Sequence, residues 1–95
     1  MKVFLDDIRT APAGWKRTKT ADETIELLLN NEVEELSLDY DLGGEIYCGN
    51  GFDVLFWIEN NKTNPKFTMP KRIYIHSTHS IYRPRMEAFV KQLLK

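Results

Sequence analysis

Glu35-Leu36-Ser37-Leu38-Asp39-Tyr40-Asp41-Leu42-Gly43-Gly44 is the stretch whose reading decides the fold. It predicts a short central strand with acidic last residues and a glycine exit. Side chains alternate along a strand, so Leu36, Leu38 and Tyr40 share one face while Ser37, Asp39 and Asp41 share the other. An apolar run that ends in carboxylates is costly to bury unless those carboxylates face a cation or hydrogen-bond donors. The Asp39 end is therefore read as a site, and the flanking chain for what converges on it.

Upstream, Met1 to Leu5 is a second short apolar strand, and it stops at the paired acids Asp6-Asp7. Ile8 to Gly14 carries Pro12 and Gly14 with no helical period, which predicts a loop. Trp15 to Lys19 alternates bulky and polar residues and suits an edge strand, where lysines discourage edge-to-edge pairing. Thr20 and Glu23 have the spacing of a capping box, so a helix is expected from Ala21 to about Asn30, with Ile25, Leu28 and Leu29 on one face.

Downstream, the glycine-dense segment from Gly43 to Gly51 is either a turn or a backbone cradle for a phosphate, though it lacks the lysine and hydroxyl order of a P-loop. Phe52 to Glu59 is apolar on most sides and predicts a buried helix, which Asp53 would cap. Asn60 to Pro70 is a polar loop. Arg72 to Ser77 is a third strand that ends in polar residues, His76 and Ser77. Pro84 fits the first turn of a last helix. There Met86, Phe89, Val90, Leu93 and Leu94 recur at i, i+3, i+4, i+7 and i+8, an amphipathic core stripe.

Ninety-five residues, 42% hydrophobic and 28% charged, imply one domain over residues 1–95, since a chain this short cannot divide its apolar residues between two cores. A net charge of -1 gives no footprint for duplex nucleic acid. The single Cys48 cannot form an internal disulfide, and no apolar segment has the length of a signal peptide or a membrane span. A cytoplasmic address is the expectation.

Strands that alternate with helices imply a mainly parallel sheet, covered on both faces, with ligands at the carboxyl ends of its strands. Right-handed crossovers would give the order edge strand, first strand, central strand, His76 strand. The expected fold is thus an α/β, flavodoxin-like but truncated, three-layer sandwich around four strands. Its polar strand ends, Asp6-Asp7, Asp39-Asp41 and His76-Ser77, would share one crevice. Two carboxylates about 4 Å apart repel by roughly 4 kcal/mol at an effective dielectric of 20. A cation answers that repulsion, and a few carboxylates completed by water suit Mg²⁺, or Mn²⁺ in its place. Asp6, Asp7 and Asp39 are the expected ligands, with Asp41 a further ligand or an orienter of Asp39. The blander account pairs one of the first two acids with Arg9 and has Asp41 cap a turn.

The same residues resemble the receiver domains of two-component signalling, in which an acidic pair and a strand aspartate bind Mg²⁺. A divergent branch is more similar still: Leu5-Asp6-Asp7-Ile8-Arg9, Pro12, Trp15, Thr20, Ser37 to Gly43, Gly51-Phe52-Asp53-Val54, Trp57, Ile75-His76-Ser77 and Met86 look like the small receiver-like domains named for a proposed role in processing cyclic phosphates. The resemblance covers nearly the whole chain. It departs from signalling receivers in having a Pro/Gly loop where their first helix lies, and no fifth strand with its lysine, so phosphoryl relay through Asp39 is not expected.

What the resemblance implies is metal-dependent hydrolysis of a small cyclic phosphate on a nucleotide, an RNA end or an ADP-ribose derivative. The alternatives are a module that binds a nucleotide-type ligand without chemistry, and a degenerate receiver used for protein contact. In the enzyme reading Asp39 and His76 are catalytic, His76 as acid or base because its ordinary pKa lies near neutrality. Arg9, Ser77, Thr78 and Arg85 would contact the phosphorylated ligand, and His79 is a lesser choice than His76. No membrane partner is expected. The chain would be a monomer or a homodimer through the exposed edge of the His76 strand.

Overall fold

A computed structural model describes residues 1–42 and 49–95 of the chain. The reading of the glycine-dense loop as turn or cradle therefore lies, for residues 43–48, outside the described residues. Among the described residues four strands form, β1 (Lys2–Leu5), β2 (Lys16–Thr18), β3 (Glu35–Leu38) and β4 (Arg72–Ile75), with three helices, α1 (Ala21–Asn30), α2 (Gly51–Asn61) and α3 (Tyr82–Leu93). The sheet order is β2-β1-β3-β4, the expected one, and every pairing is parallel. Two strand ends fall short of the sequence-based reading by two or three residues: β3 stops at Leu38 before the acids and β4 at Ile75, so Asp39 and His76 each lie one residue beyond their strand.

The helices start where side chains satisfy their first amides. Thr20 Oγ1 accepts from the Glu23 amide at the start of α1. At α2 the box is reciprocal: Asn50 Oδ1 accepts from the Asp53 amide, and Asp53 Oδ2 accepts from the Asn50 amide. A buried hydroxyl pair, Thr18 and Thr24 at 2.6 Å, ties β2 to α1.

Among the described residues the sheet carries helices on one face only. The β2-to-β3 and β3-to-β4 connections step across the sheet in the same direction, so right-handed crossovers lay α1 and α2 on the same side. α2 accordingly packs against both α1 and α3. The fold is thus a two-layer version of the receiver-like α/β fold, not the three-layer sandwich expected from alternating elements. The physical reason is the β1-to-β2 connection. It alone runs the other way, and its Pro12- and Gly14-containing segment forms no helix to cover the second face.

Register separates the two faces. Val3, Leu36 and Ile73 form one row, and Leu5, Leu38 and Ile75 the next. Both rows are buried against Leu28, Val54, Leu55, Ile58 and Met86 of the helices, each such side chain contributing about 1.5–3 kcal/mol. The row between them, Phe4, Ser37 and Tyr74, points the other way. Trp15, returning from the loop, lies edge-on to Phe4 with ring centroids 6.4 Å apart and covers it, while Tyr74 stays 42% exposed. β4 is an outer strand, flanked along α3 by a cavity of about 330 Å³ lined by Ile73, Tyr74, Ile75 and Val90. Among the described residues no helix is long and apolar enough to cross a membrane.

Candidate functional site

The register that builds the core also builds the site. Leu5, Leu38 and Ile75 are aligned on adjacent strands, so the next residues, Asp6, Asp39 and His76, emerge side by side. Their backbones continue the ladder by one step: the Asp6 amide donates to Thr18 O, the Asp39 amide to Leu5 O and the His76 amide to Leu38 O. One carboxylate oxygen from each acid and one imidazole nitrogen lie within 4.8 Å of one another.

Asp6 is the most enclosed member, 1% exposed. Its Oδ1 accepts from the amides of Ile8 and Arg9, both at 2.8 Å, which folds the start of the loop as an Asx turn. Its Oδ2 lies 3.0 Å from His76 Nε2. Burial alone would raise its pKa, but the Arg9 and Ile8 amides and His76 outweigh it and hold the carboxyl below its ordinary value. Arg17 of β2 fixes the same turn from behind, donating through Nε to Asp6 O at 3.0 Å and through Nη2 to Asp7 O at 2.6 Å.

Asp39 has the opposite balance. Burial and the neighbouring Asp6 charge push its pKa up, against the Tyr40 amide that donates to its Oδ1 at 2.8 Å. At about 5 Å, two carboxylate charges repel by roughly 3 kcal/mol at an effective dielectric of 20. The cluster therefore has one buried acid held ionised by hydrogen bonds and one whose ionised form is disfavoured by burial and a like charge. Around them opens a cavity of about 300 Å³, lined by the acids Asp6, Asp7, Asp39 and Asp41 together with Ile8, Arg9, Ser77, Thr78 and His79. Nearly every residue expected at the site is thus brought to one crevice.

Two expected residues are placed differently. His76 does not line that cavity. It stacks on Phe4, centroids 4.2 Å apart and planes 4° apart, and both ring nitrogens have partners: Ser37 Oγ at 2.7 Å from Nδ1 and Asp6 from Nε2. A carboxylate can only accept, so Nε2 carries the proton and Nδ1 accepts from Ser37. Arg85 lines a neighbouring cavity with Tyr40 and Tyr82. Arg9, expected to clamp a phosphate or pair with Asp7, donates through Nη1 to His76 O at 2.9 Å and lies 3.9 Å from Asp6.

The family of cyclic-phosphate processing receiver domains has a model that matches residues 1–92. The chain belongs to this family. Among curated proteins no match to the chain is found.

Two residues at this family member's site were not legible in its sequence. Arg17 reads as an edge-strand charge, and only the parallel β1–β2 pairing puts its guanidinium behind Asp6 and Asp7. His79 looked secondary to His76, yet it is the histidine that faces the cavity. Its Nδ1 accepts from the Ile81 and Tyr82 amides at 3.3 and 3.2 Å, capping α3 in place of a hydroxyl or carboxylate. That bond leaves the proton on Nε2. A last helix with no side-chain cap at Ile81 was the available signal.

His76 gives the site a pH dependence. Burial holds its pKa below the ordinary 6.5, against the pull of Asp6 and Asp39. The unfolded chain then binds a proton at higher pH than the folded one, so stability is full above 6.5 and falls as pH drops from there toward the folded value. Thermal melts of the metal-free protein from pH 7.5 to 5 are expected to show this decline, and His76→Gln to flatten it. Parallel curves for the two proteins would rule it out.

Proposed function

We propose that this domain hydrolyses a small cyclic phosphate on a nucleotide-type substrate, with a divalent cation, Mg²⁺ or Mn²⁺, held by Asp39, Asp7 and Asp6. The observation that carries the reading is the convergence of Asp6 and Asp39 from adjacent strand ends on a cavity also lined by Asp7, Arg9, Ser77, Thr78 and His79. The fit to a hard cation rests on the donor set: carboxylate oxygens from adjacent strand ends, with His76 Nε2 already committed as a donor to Asp6. When bound, such a cation neutralises charge on phosphoryl oxygens and lowers the pKa of a coordinated water.

The chain's own residues supply the rest. Arg9 is half exposed over the cavity and has guanidinium donors beyond the one given to His76 O, suited to paired phosphoryl oxygens. Ser77 is buried, and its hydroxyl oxygen accepts from the His79 amide at 3.1 Å, which fixes the loop that carries Thr78 and His79 along the cavity wall. In hydrolysis water adds to phosphorus, one ring P–O bond breaks, and the departing oxygen takes a proton. His79 Nε2–H stabilises the developing charge on that oxygen by hydrogen bonding in this assignment, and the proton itself comes from solvent water. His76 acts as a positioning residue, holding Asp6 between itself and the loop amides.

Phosphorus NMR on 2′,3′-cyclic nucleotides and on a sugar cyclic phosphate, each with Mg²⁺ or Mn²⁺, tests the proposal. The expected result is a monophosphate product, formed about 10²–10³-fold more slowly in His79→Ala, the range for loss of one hydrogen-bond donor to developing charge. Ligand that binds and is recovered intact would instead establish a sequestering module.

A further inference from the structure

Beside the acidic crevice lies a second cavity of about 320 Å³, and its lining is of a different chemical kind. Phe52, Phe56 and Tyr82 provide aromatic faces, while Asn50, Asp53 and Arg85 provide polar groups at its rim. Phe52 and Phe56 are stacked at 5.2 Å, and Tyr82 stands edge-on to Phe52 at 6.3 Å. The Arg85 guanidinium lies over the Tyr82 ring, 5.7 Å from its centroid. Phe56 is 49% exposed, although it belongs to a helix whose apolar face is otherwise in the core.

The two cavities share a wall. Tyr40 holds Asp39 Oδ1 through its amide and stacks its ring on Tyr82 at 4.2 Å with planes 7° apart. His79, on the acidic side, touches both of those rings, at 5.3 Å from Tyr40 and 4.9 Å from Tyr82. A single ligand that spans this wall would put an anionic group near Asp39 and His79 and a flat group against Phe56. Flat heteroaromatic rings stack well on such faces because every base has a π surface.

The rim has hydrogen-bonding capacity left over. The capping box uses Oδ1 of Asn50 and Oδ2 of Asp53. Among the described residues this leaves the Asn50 side-chain Nδ2 to donate and Asp53 Oδ1 to accept. An acceptor beside a donor complements a base that carries an exocyclic amine next to a ring nitrogen.

We propose that this second cavity is a nucleobase subsite, which makes the substrate class a cyclic-phosphate nucleotide with an amino-bearing base. The position of the phosphate rests on the function proposed above; the base site itself rests on the aromatic cavity. Arg85, expected from sequence to contact phosphate, serves the base side instead.

The test is protein-observed NMR with three probes: 2′,3′-cyclic AMP, glycerol 1,2-cyclic phosphate and adenosine. Cyclic AMP is expected to bind about tenfold or more tightly than the glycerol compound, and Phe56→Ala to remove most of that difference while leaving glycerol cyclic phosphate binding unchanged. Adenosine alone is expected to shift the resonances of Phe52, Phe56 and Tyr82 in the unmodified protein, a readout that needs neither phosphate nor a variant. Equal binding of the two cyclic phosphates, or adenosine shifts absent from those three residues, would overturn the subsite. Adenosine and cyclic AMP binding there equally, with no response to glycerol 1,2-cyclic phosphate, would uphold the subsite and overturn the phosphate reading.

Discussion

Asp39→Asn is expected to make the metal-free protein more stable and the metal-treated protein inert. Ionising Asp39 costs folding stability because burial and the Asp6 charge raise its pKa. Asparagine removes that charge while keeping an oxygen to accept from the Tyr40 amide. The gain should be about 1 kcal/mol, the scale of an ordinary point substitution with its sign reversed. It should shrink below pH 4, where the wild-type acid is protonated in both folded and unfolded chains.

Added cation should act in the other direction. At tenfold excess over its Kd, a single site adds about 1.4 kcal/mol, a rise in melting temperature of roughly 6–11 °C for a domain of this size. Asp39→Asn should lose that rise, and with it turnover of cyclic phosphate. Differential scanning calorimetry with and without Mn²⁺ measures both halves. A wild-type melting temperature indifferent to Mg²⁺ and Mn²⁺ would remove the metal from the proposal, whatever the variant does.

Gly51→Ala is expected to be the most damaging single methyl group. The first residue of α2 is pressed against the strand end, where its amide donates to Tyr40 O at 3.3 Å. A Cβ there would overlap the carbonyl oxygen of Asp39 and sit 2.7 Å from Met86 Cε. Met86 can move, but the Asp39 carbonyl belongs to the backbone that sets the site. Relief therefore requires α2 to retreat, at a cost at or above the usual 1–3 kcal/mol of overpacking. A fall in melting temperature of roughly 12 °C or more follows from about 3 kcal/mol. Gly14→Ala is the control, since it has no neighbour within 4 Å and only its positive φ of 85° to oppose it. If both variants melt within about 2 °C of the parent, the close approach of α2 to Asp39 is not a constraint.

Much of this was legible in the sequence, and the legible parts share a cause. Strand order followed from apolar runs with acidic ends because parallel sheets with right-handed crossovers leave few arrangements. The bounds of α1 followed from Thr20 and Glu23 because capping is local chemistry. Asp6 and Asp39 converged because each ends its strand at the same register. What escaped depends on partners distant in the chain. Arg17 finds Asp6 and Asp7 only once β2 lies beside β1, and His76 is taken out of the cavity by Phe4 and Ser37, residues on two other strands. The missing helical layer was signalled by Pro12 and Gly14, but its consequence for the second face of the sheet appears only when all crossovers are placed.

The all-parallel ladder also bears on how the chain reaches this fold. No hairpin exists among the four strands. Val3 meets Lys16 thirteen positions away (16 − 3) and Leu36 thirty-three away (36 − 3), and Leu36 meets Ile73 thirty-seven away (73 − 36). Each ladder is rewarded only after the entropy of a long loop has been given up. Local order before closure comes from the capped helix starts at Thr20 and Asn50. The second of these caps lies at the wall of the cavity beside Asp39, so the residues that would meet a nucleobase also help α2 begin.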